Sequence, residues 1–373
     1  MNTNLFLTKK VFGELGIGKI HYSITILILL VLFLSSFFLL FLVTGTLGYS
    51  QTEKPGYSLL FYNVENLFDP EDDPLKLDDE FTPDGARHWR YNQLNQKLVN
   101  LSKVILNVSG WSPPGMIALC EIENREVLER LRTQTPLKNF SYKIIHQESS
   151  DDRGIDVAFL YNSDVFYPLS YVSYPIRNEQ GSVIATREIL HVSGIVSDSD
   201  TLHFFINHWP SRYSGLLETR KKREYAALTL RRRLDSLLLG YRSPKVVVVG
   251  DFNDQPSDES VLSYLNAQPV SEKIKPDVLY NLSARWGDNE KGTLKYRAQW
   301  FVFDQIMVSG ALLKSDDGLS TSPGNASVVN LPFLLEKDER YGGFKPNRTF
   351  SGYTYKGGFS DHLPVLLKFN LKN

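Results

Sequence analysis

Cysteine is all but missing. Cys120 stands alone in 373 residues, which excludes an intrachain disulfide framework, and no CxxC or Cys/His zinc pattern occurs. Any metal must therefore be held by oxygen or histidine. Net charge is equally scarce: 41 basic residues against 42 acidic ones leave −1, which argues against the broad positive field of a tight, non-specific polyanion binder. A small or local anionic group stays open as a partner. Internal repeats, low-complexity tracts and a second linker are absent as well. With 42% hydrophobic and 22% charged residues, the chain excludes wholesale disorder and can bury a large core.

One long hydrophobic run is present. From Ile24 to Val43, ITILILLVLFLSSFFLLFLV is uncharged and, at about twenty residues, long enough to cross a bilayer as a helix. Lys9, Lys10 and Lys19 precede it, and Gly48 and Ser50 offer small residues at a cleavage point before Gln51. Residues 1–50 are therefore expected to be a signal or anchor segment. Cleaved and uncleaved forms both stay open, the latter tying the protein to a membrane. The positive-inside rule places residues 51–373 on the outer side, exported into a periplasmic or extracellular space, where a lone cysteine is at home.

Beyond the linker QTEKPG, apolar strand candidates recur: 57–63, 115–121, 142–146, 155–162, 187–196, 201–208, 245–251, 303–309 and 363–369. Helical periodicity marks 89–108, 124–132 and 216–239, and Ser257 with 260–265 suggests a further turn. Strands interleaved with few helices predict an α/β sandwich, two sheets covered by helices. The acidic, proline-punctuated stretch 69–84 reads as a surface loop, and the basic residues of 216–239, interrupted by acids, read as a solvated helix face.

Chemistry gathers at the ends of these strands. LLFYNVEN ends on Asn63, Glu65 and Asn66; IALCE on Glu121; FFINH on Asn207 and His208; VVVVGD on Asp251, with Asn253 following. Any one such ending is ordinary turn chemistry. Several converging at one sheet edge would pool polar groups on rigid supports. Asp304 lies inside the apolar FDQIMVS, while Ser360, Asp361 and His362 precede the last strand. A buried carboxylate needs a partner, and an imidazole N–H serves, so Asp304 is expected to pair with His362. His191 and His203 read as satisfied core histidines.

FYNVEN, CEIEN, NHWPSR, GDFND, FDQIMVS and SDHLPV, in this order over residues 57–370, resemble the endonuclease/exonuclease/phosphatase superfamily. The resemblance implies a four-layer α/β sandwich of two packed, mainly antiparallel sheets flanked by helices, with the site at the sheet edge. It also implies phosphoester hydrolysis with a divalent cation, magnesium or else manganese. Glu121 would be the principal metal ligand, supported by Asn63 and Glu65, with Asp361 reaching the ion directly or through water. His362, held by Asp304, would contact the scissile phosphate or serve in proton transfer. Asp251 would orient or deprotonate the attacking water, Asn253 would donate to the phosphoryl charge, and His208 would be the acid for the leaving oxygen.

Asn207 and Arg187 are candidates for phosphate contact, with Arg153 and Arg212 as similar cases, and Glu148 is a candidate to orient His208. The expected partner is a phosphoester: nucleic acid, nucleotide or phospholipid headgroup, with the loops 69–84 and 310–350 as selectors. A monomer is expected. The competing reading is a binding protein of the same fold that has lost catalysis; it would show substitutions at the metal and histidine positions, and none is found. The sequons at Asn281 and Asn347 bear on surface modification.

Overall fold

A computed structural model describes residues 28–34, 56–110, 112–196, 200–213, 215–287, 292–315 and 318–372. The chain divides into two units, Met1–Glu53 and Lys54–Asn373. Of the apolar run 24–43 only residues 28–34 are described, as exposed helix; the rest of the expected anchor lies outside the described residues. Among the described residues no helix is long and apolar enough to cross a membrane.

Among the described residues the second unit holds, besides four two-stranded sheets, two large sheets built from β1 (Gly56–Leu67), β2 (Pro114–Ile122), β3 (Tyr142–His146), β4 (Asp156–Asn162), β5 (Phe166–Tyr174), β6 (Ile189–Val196), β7 (Asp200–His208), β8 (Lys245–Asp251), β9 (Gln268–Pro269), β10 (Leu279–Asn281), β11 (Asp304–Ser309), β12 (Ala326–Val328) and β13 (Val365–Lys368). The first sheet runs β12-β13-β1-β2-β4-β3 and the second β5-β6-β7-β8-β11-β10-β9. Each has a parallel pair near its middle, β1 with β2 and β7 with β8, among mainly antiparallel neighbours. Three helices flank them: α1 (Tyr91–Asn107), α2 (Arg125–Thr133) and α3 (Leu216–Gly240).

Alternation along the strands sorts the layers. Leu59 and Phe61, Met116 and Ala118, Phe204 and Ile206, Val247 and Val249, and Ile306 and Val308 meet in one cluster between the sheets. Leu60 and Tyr62 pack instead with Leu94, Leu98 and Leu101 of α1 and Leu128 of α2. Val246 and Val248 pack with Leu230 and Leu234 of α3. The order is helix, sheet, sheet, helix, the four-layer sandwich expected from the sequence. Each valine buried from both sides of β8 contributes roughly 1.5–3 kcal/mol, so the strand is firmly fixed in the middle of its sheet.

The edge strand β5 is absent from the sequence expectation. FYPLSYVSY carries Pro168 and shows much of its outer side to solvent, so it has neither an apolar run nor clean alternation; proline is tolerated there because an edge strand leaves one side unpaired. The helix expectations hold, with a π-helical turn at Ser260–Tyr264. On α3 the solvated-face reading holds for Arg220, Lys221 and Arg231, which pair with Glu224 and Asp235. It fails for Arg223, which is fully buried against Asp254. Asn281 is buried and donates to Gln305, so that sequon is not on the surface.

Candidate active site

The carboxyl ends of the two parallel pairs face each other across the sandwich, and the same parity that builds the core places their last side chains. Asn63 continues the row Leu59–Phe61, His208 the row Phe204–Ile206, Asp251 the row Val247–Val249, while Asp304 begins the row completed by Ile306 and Val308. A valine run ends in a carboxylate because the alternate valines point between the sheets and Asp251 is the next position on that side. Gly250 beside it is required: a Cβ there would stand 2.3 Å from the Asn207 carbonyl oxygen, inside the β7–β8 pair.

Glu121 is on the wrong parity and reaches the site by another device. β2 has a register irregularity between Cys120 and Ile122, and Glu121 adopts φ +63°, which turns its side chain out of the helix-facing row. Glu65, Asn66 and Asn253 likewise have φ of 52°, 57° and 50°. Four non-glycine residues in this region at three strand ends amount to stored backbone strain, held by the packed core behind them.

The resulting geometry centres on Asp251. Its Oδ2 accepts from Asn63 Nδ2 at 3.1 Å and stands 3.7 Å from His208 Nε2 and 3.8 Å from His362 Nε2. Asn63 Nδ2 also donates to Glu121 Oε1 at 3.2 Å, and Glu121 Oε1 lies 3.9 Å from His208 Nε2. Asp304 Oδ2 is 2.7 Å from His362 Nδ1, the pairing expected from the sequence, and Asp304 is opposite Asp251 in the β8–β11 register. The backbone N–H of Asn66 donates to Glu121 Oε2, and that of Asn253 to Asp251 Oδ1.

Burial separates the titrations. Burial and, after the opposing effect of His362, the Asp304 carboxylate push Asp251 up to about 7. Burial alone would lower His362, but the Asp304 and Asp251 carboxylates override it and hold the imidazole well above its usual range. Burial, with Arg187 and Arg153 nearby, drives His208 well below it. The two histidines are thus pushed in opposite directions.

The donor set fits a divalent cation. Asp251, Asp304 and His362 can each offer one ligand atom within 4.8 Å of the others, Asp304 Oδ1 is buried with no hydrogen bond, and Glu121 adds a partly exposed carboxylate at the rim. Hard oxygens in excess of nearby cations are what such an ion would neutralise.

Several sequence expectations are redistributed. Asn63 turns its amide nitrogen to the two carboxylates, while its Oδ1, the ligating atom, accepts the Glu65 N–H. Glu65 and Asp361 are not open ligands, because Arg348 Nη2 lies 3.0 Å from both and Thr349 N also donates to Glu65. Asn207 points to the opposite face of β7, bonded to the Phe205 and Val249 carbonyls and to the Trp209 indole, so it cannot meet a substrate in the cleft.

Arg187 is buried, spent on Asp151 and the Trp209 carbonyl, and acts behind His208 rather than as a free phosphate clamp. Arg153 lies beside Asp151, Arg212 is held by Asn253 O, Asp254 and Asp258, and Glu148 lies beside His146, not His208. Asn253 Nδ2 donates to the Trp209 carbonyl.

Sequence reasoning misses Arg348 and the buried Lys97. Lys97 is lowered to about 8 by burial, against the pull of Glu65 and Asp361, and donates to the Phe359 carbonyl. Nothing in PNRTF or in the α1 periodicity marks either residue.

Comparison with known proteins follows the same line. The model of the endonuclease/exonuclease/phosphatase family matches residues 58–371. The chain belongs to that family. It is a phosphoesterase of the endonuclease/exonuclease/phosphatase class, and members of this class characteristically work with a divalent metal. No curated protein matches it. Among solved structures, a Bacteroides thetaiotaomicron mannosyl-6-phosphatase, Bt3783, is 15% identical with a TM-score of 0.52, over 85% of this chain and all of its own. TDP2 of D. rerio, humanised by 14 mutations, is 16% identical with a TM-score of 0.51, over 84% and 98%, and the D. rerio enzyme was also solved with a single-strand DNA product. At these identities the likeness is one of fold.

Proposed function

We propose that the protein hydrolyses a compact phosphoester by in-line attack of water on phosphorus, on the outer side of a membrane to which residues 24–43 direct it. The observation carrying this reading is the convergence of Asn63, His208 and His362 on Asp251 Oδ2. Magnesium or manganese, held by Glu121, would neutralise charge on the phosphoryl oxygens. Asp251, pushed up to about 7, takes the proton of the attacking water. With Asp304 on its Nδ1, His362 is read as the acid that donates toward the phosphoryl and leaving oxygens, and His208, beside Asp251 and Glu121, as the group that orients them.

A small substrate is favoured by the wall that begins at Glu123 and Asn124, just beyond Glu121. A cavity of about 180 Å³ there is lined by Asp69, Glu71, Asp72, Asp73 and Glu148 against one lysine, Lys76. An extended polyanion meets repulsion along that wall, whereas a phosphorylated sugar, the substrate class named for Bt3783, does not. The test is magnesium-dependent hydrolysis by the full chain of sugar 6-phosphates, a generic phosphodiester and a single-stranded oligonucleotide, beside Asp251→Asn. The expectation is turnover of the small esters and a loss of roughly 10³-fold or more in the variant. Preferred turnover of the oligonucleotide would overturn the substrate class, and equal turnover in wild type and variant would overturn catalysis.

A further inference from the structure

Away from the catalytic cluster, β3 ends on His146 and β4 begins on Asp156, with a nine-residue connection between them. The His146 side chain is 2% exposed, as is that of Asp156, yet His146 Nε2 has no hydrogen-bond partner. That nitrogen lies 3.4 Å from Asp156 Oδ2, a contact that does not qualify as a hydrogen bond, and Glu148 Oε1 lies 3.9 Å from the ring's other nitrogen. One ligand atom from each of the three residues falls within 4.8 Å of the others. Burial and the Asp156 carboxylate push the Glu148 carboxyl up, two acids crowding one space.

We propose that His146, Glu148 and Asp156 form a second metal site, selective for a borderline divalent ion of the zinc class and separate from the catalytic centre. Two ligands each about 2.1 Å from a tetrahedral ion stand about 3.4 Å apart, which is the observed spacing of Nε2 and Oδ2. Asp156 is already oriented for ligation, since its Oδ1 accepts the Ser149 N–H and Oδ2 is left toward the histidine. An imidazole in the set disfavours magnesium and calcium, which take oxygen, and favours zinc. Glu148, with a side chain 58% exposed, supplies the third ligand from the solvent side and leaves room for a water as the fourth. The ion would tie the ends of the connection 147–155. That connection carries Asp151, the partner of Arg187 behind His208.

The experiment strips the full chain of metal and titrates Zn²⁺ in excess Mg²⁺, reading bound equivalents, affinity and melting temperature. The same titration in Asp251→Asn, which weakens the donor set of the catalytic centre, tests whether the tight equivalent lies there. The expected result is one tight equivalent that raises the melting temperature in both backgrounds. Glu148→Gln, a change at a side chain 58% exposed, should weaken it by at least about ten-fold. His146→Ala should abolish it. The proposal is overturned if Glu148→Gln binds Zn²⁺ as wild type does. It is equally overturned if the ¹⁵N resonances of His146 report an imidazolium that zinc does not displace, the signature of a plain ion pair between two carboxylates.

Discussion

Strand β7 carries two histidines five residues apart, and they have opposite fates. His203 faces the helix side, where its Nδ1 meets His191 Nε2 at 3.2 Å and the two rings stack, with Phe205 stacked on His191. His208 faces the space between the sheets at the strand's end, its Nε2 within 4 Å of Asp251 and Glu121 and its Nδ1 buried without a partner. Residue type and strand are the same, and only side and depth differ. A histidine that closes its hydrogen bonds on another histidine is packing material; one left incomplete among carboxylates is equipment for a substrate.

That contrast can be broken by exchange of roles. His208→Ala should lower kcat by about 10²–10⁴-fold, whereas His203→Ala should leave kcat within about two-fold; comparable losses would erase the distinction between the faces. Asp304→Asn tests the charged state of His362. Without the carboxylate, burial lowers that imidazole, so the pH at which the acid is lost should move down relative to wild type, with a loss of roughly 10²-fold at pH 7.5. An unchanged pH profile would sink the assignment of His362 as the acid.

The outer pair should report on stability instead. Burial, then His203, lowers His191 from 6.5 to about 4. Below 6.5 the unfolded chain takes a proton that the folded chain refuses, so stability is lost as pH falls from 6.5 toward 4, roughly 3 kcal/mol in all. Denaturation of His191→Phe across that range should show a flatter slope and unchanged kcat. The smallest effect belongs to a helix on the other side of the sandwich: Arg125→Ala breaks the surface pair with Glu129 on α2 and should cost no more than about 0.5 kcal/mol by urea titration.

Parity explains how far the sequence can be read. Alternation places Asn63, His208, Asp251 and Asp304 between the sheets once the strands are recognised, and it also explains why Asn207, one step off, is not in the cleft. What alternation cannot show is its own interruption. Glu121 reaches the site only because β2 bulges there, and no residue type in ALCEI announces a positive φ. Charge partners are equally hidden: Arg348 comes from 283 residues beyond Glu65, and its claim on Glu65 and Asp361 depends on how a long connection folds back. Arg187 reads as a phosphate contact because its spending on Asp151 and a carbonyl requires three segments to meet.

Asn63 and Asp251, which share a hydrogen bond, are 188 positions apart, and Asp304 and His362 are separated by 58 more. No partial stretch of the polypeptide contains a working centre. During synthesis the chain is chemically harmless, and it acquires the power to cut phosphate esters only when β13 takes its place in the first sheet.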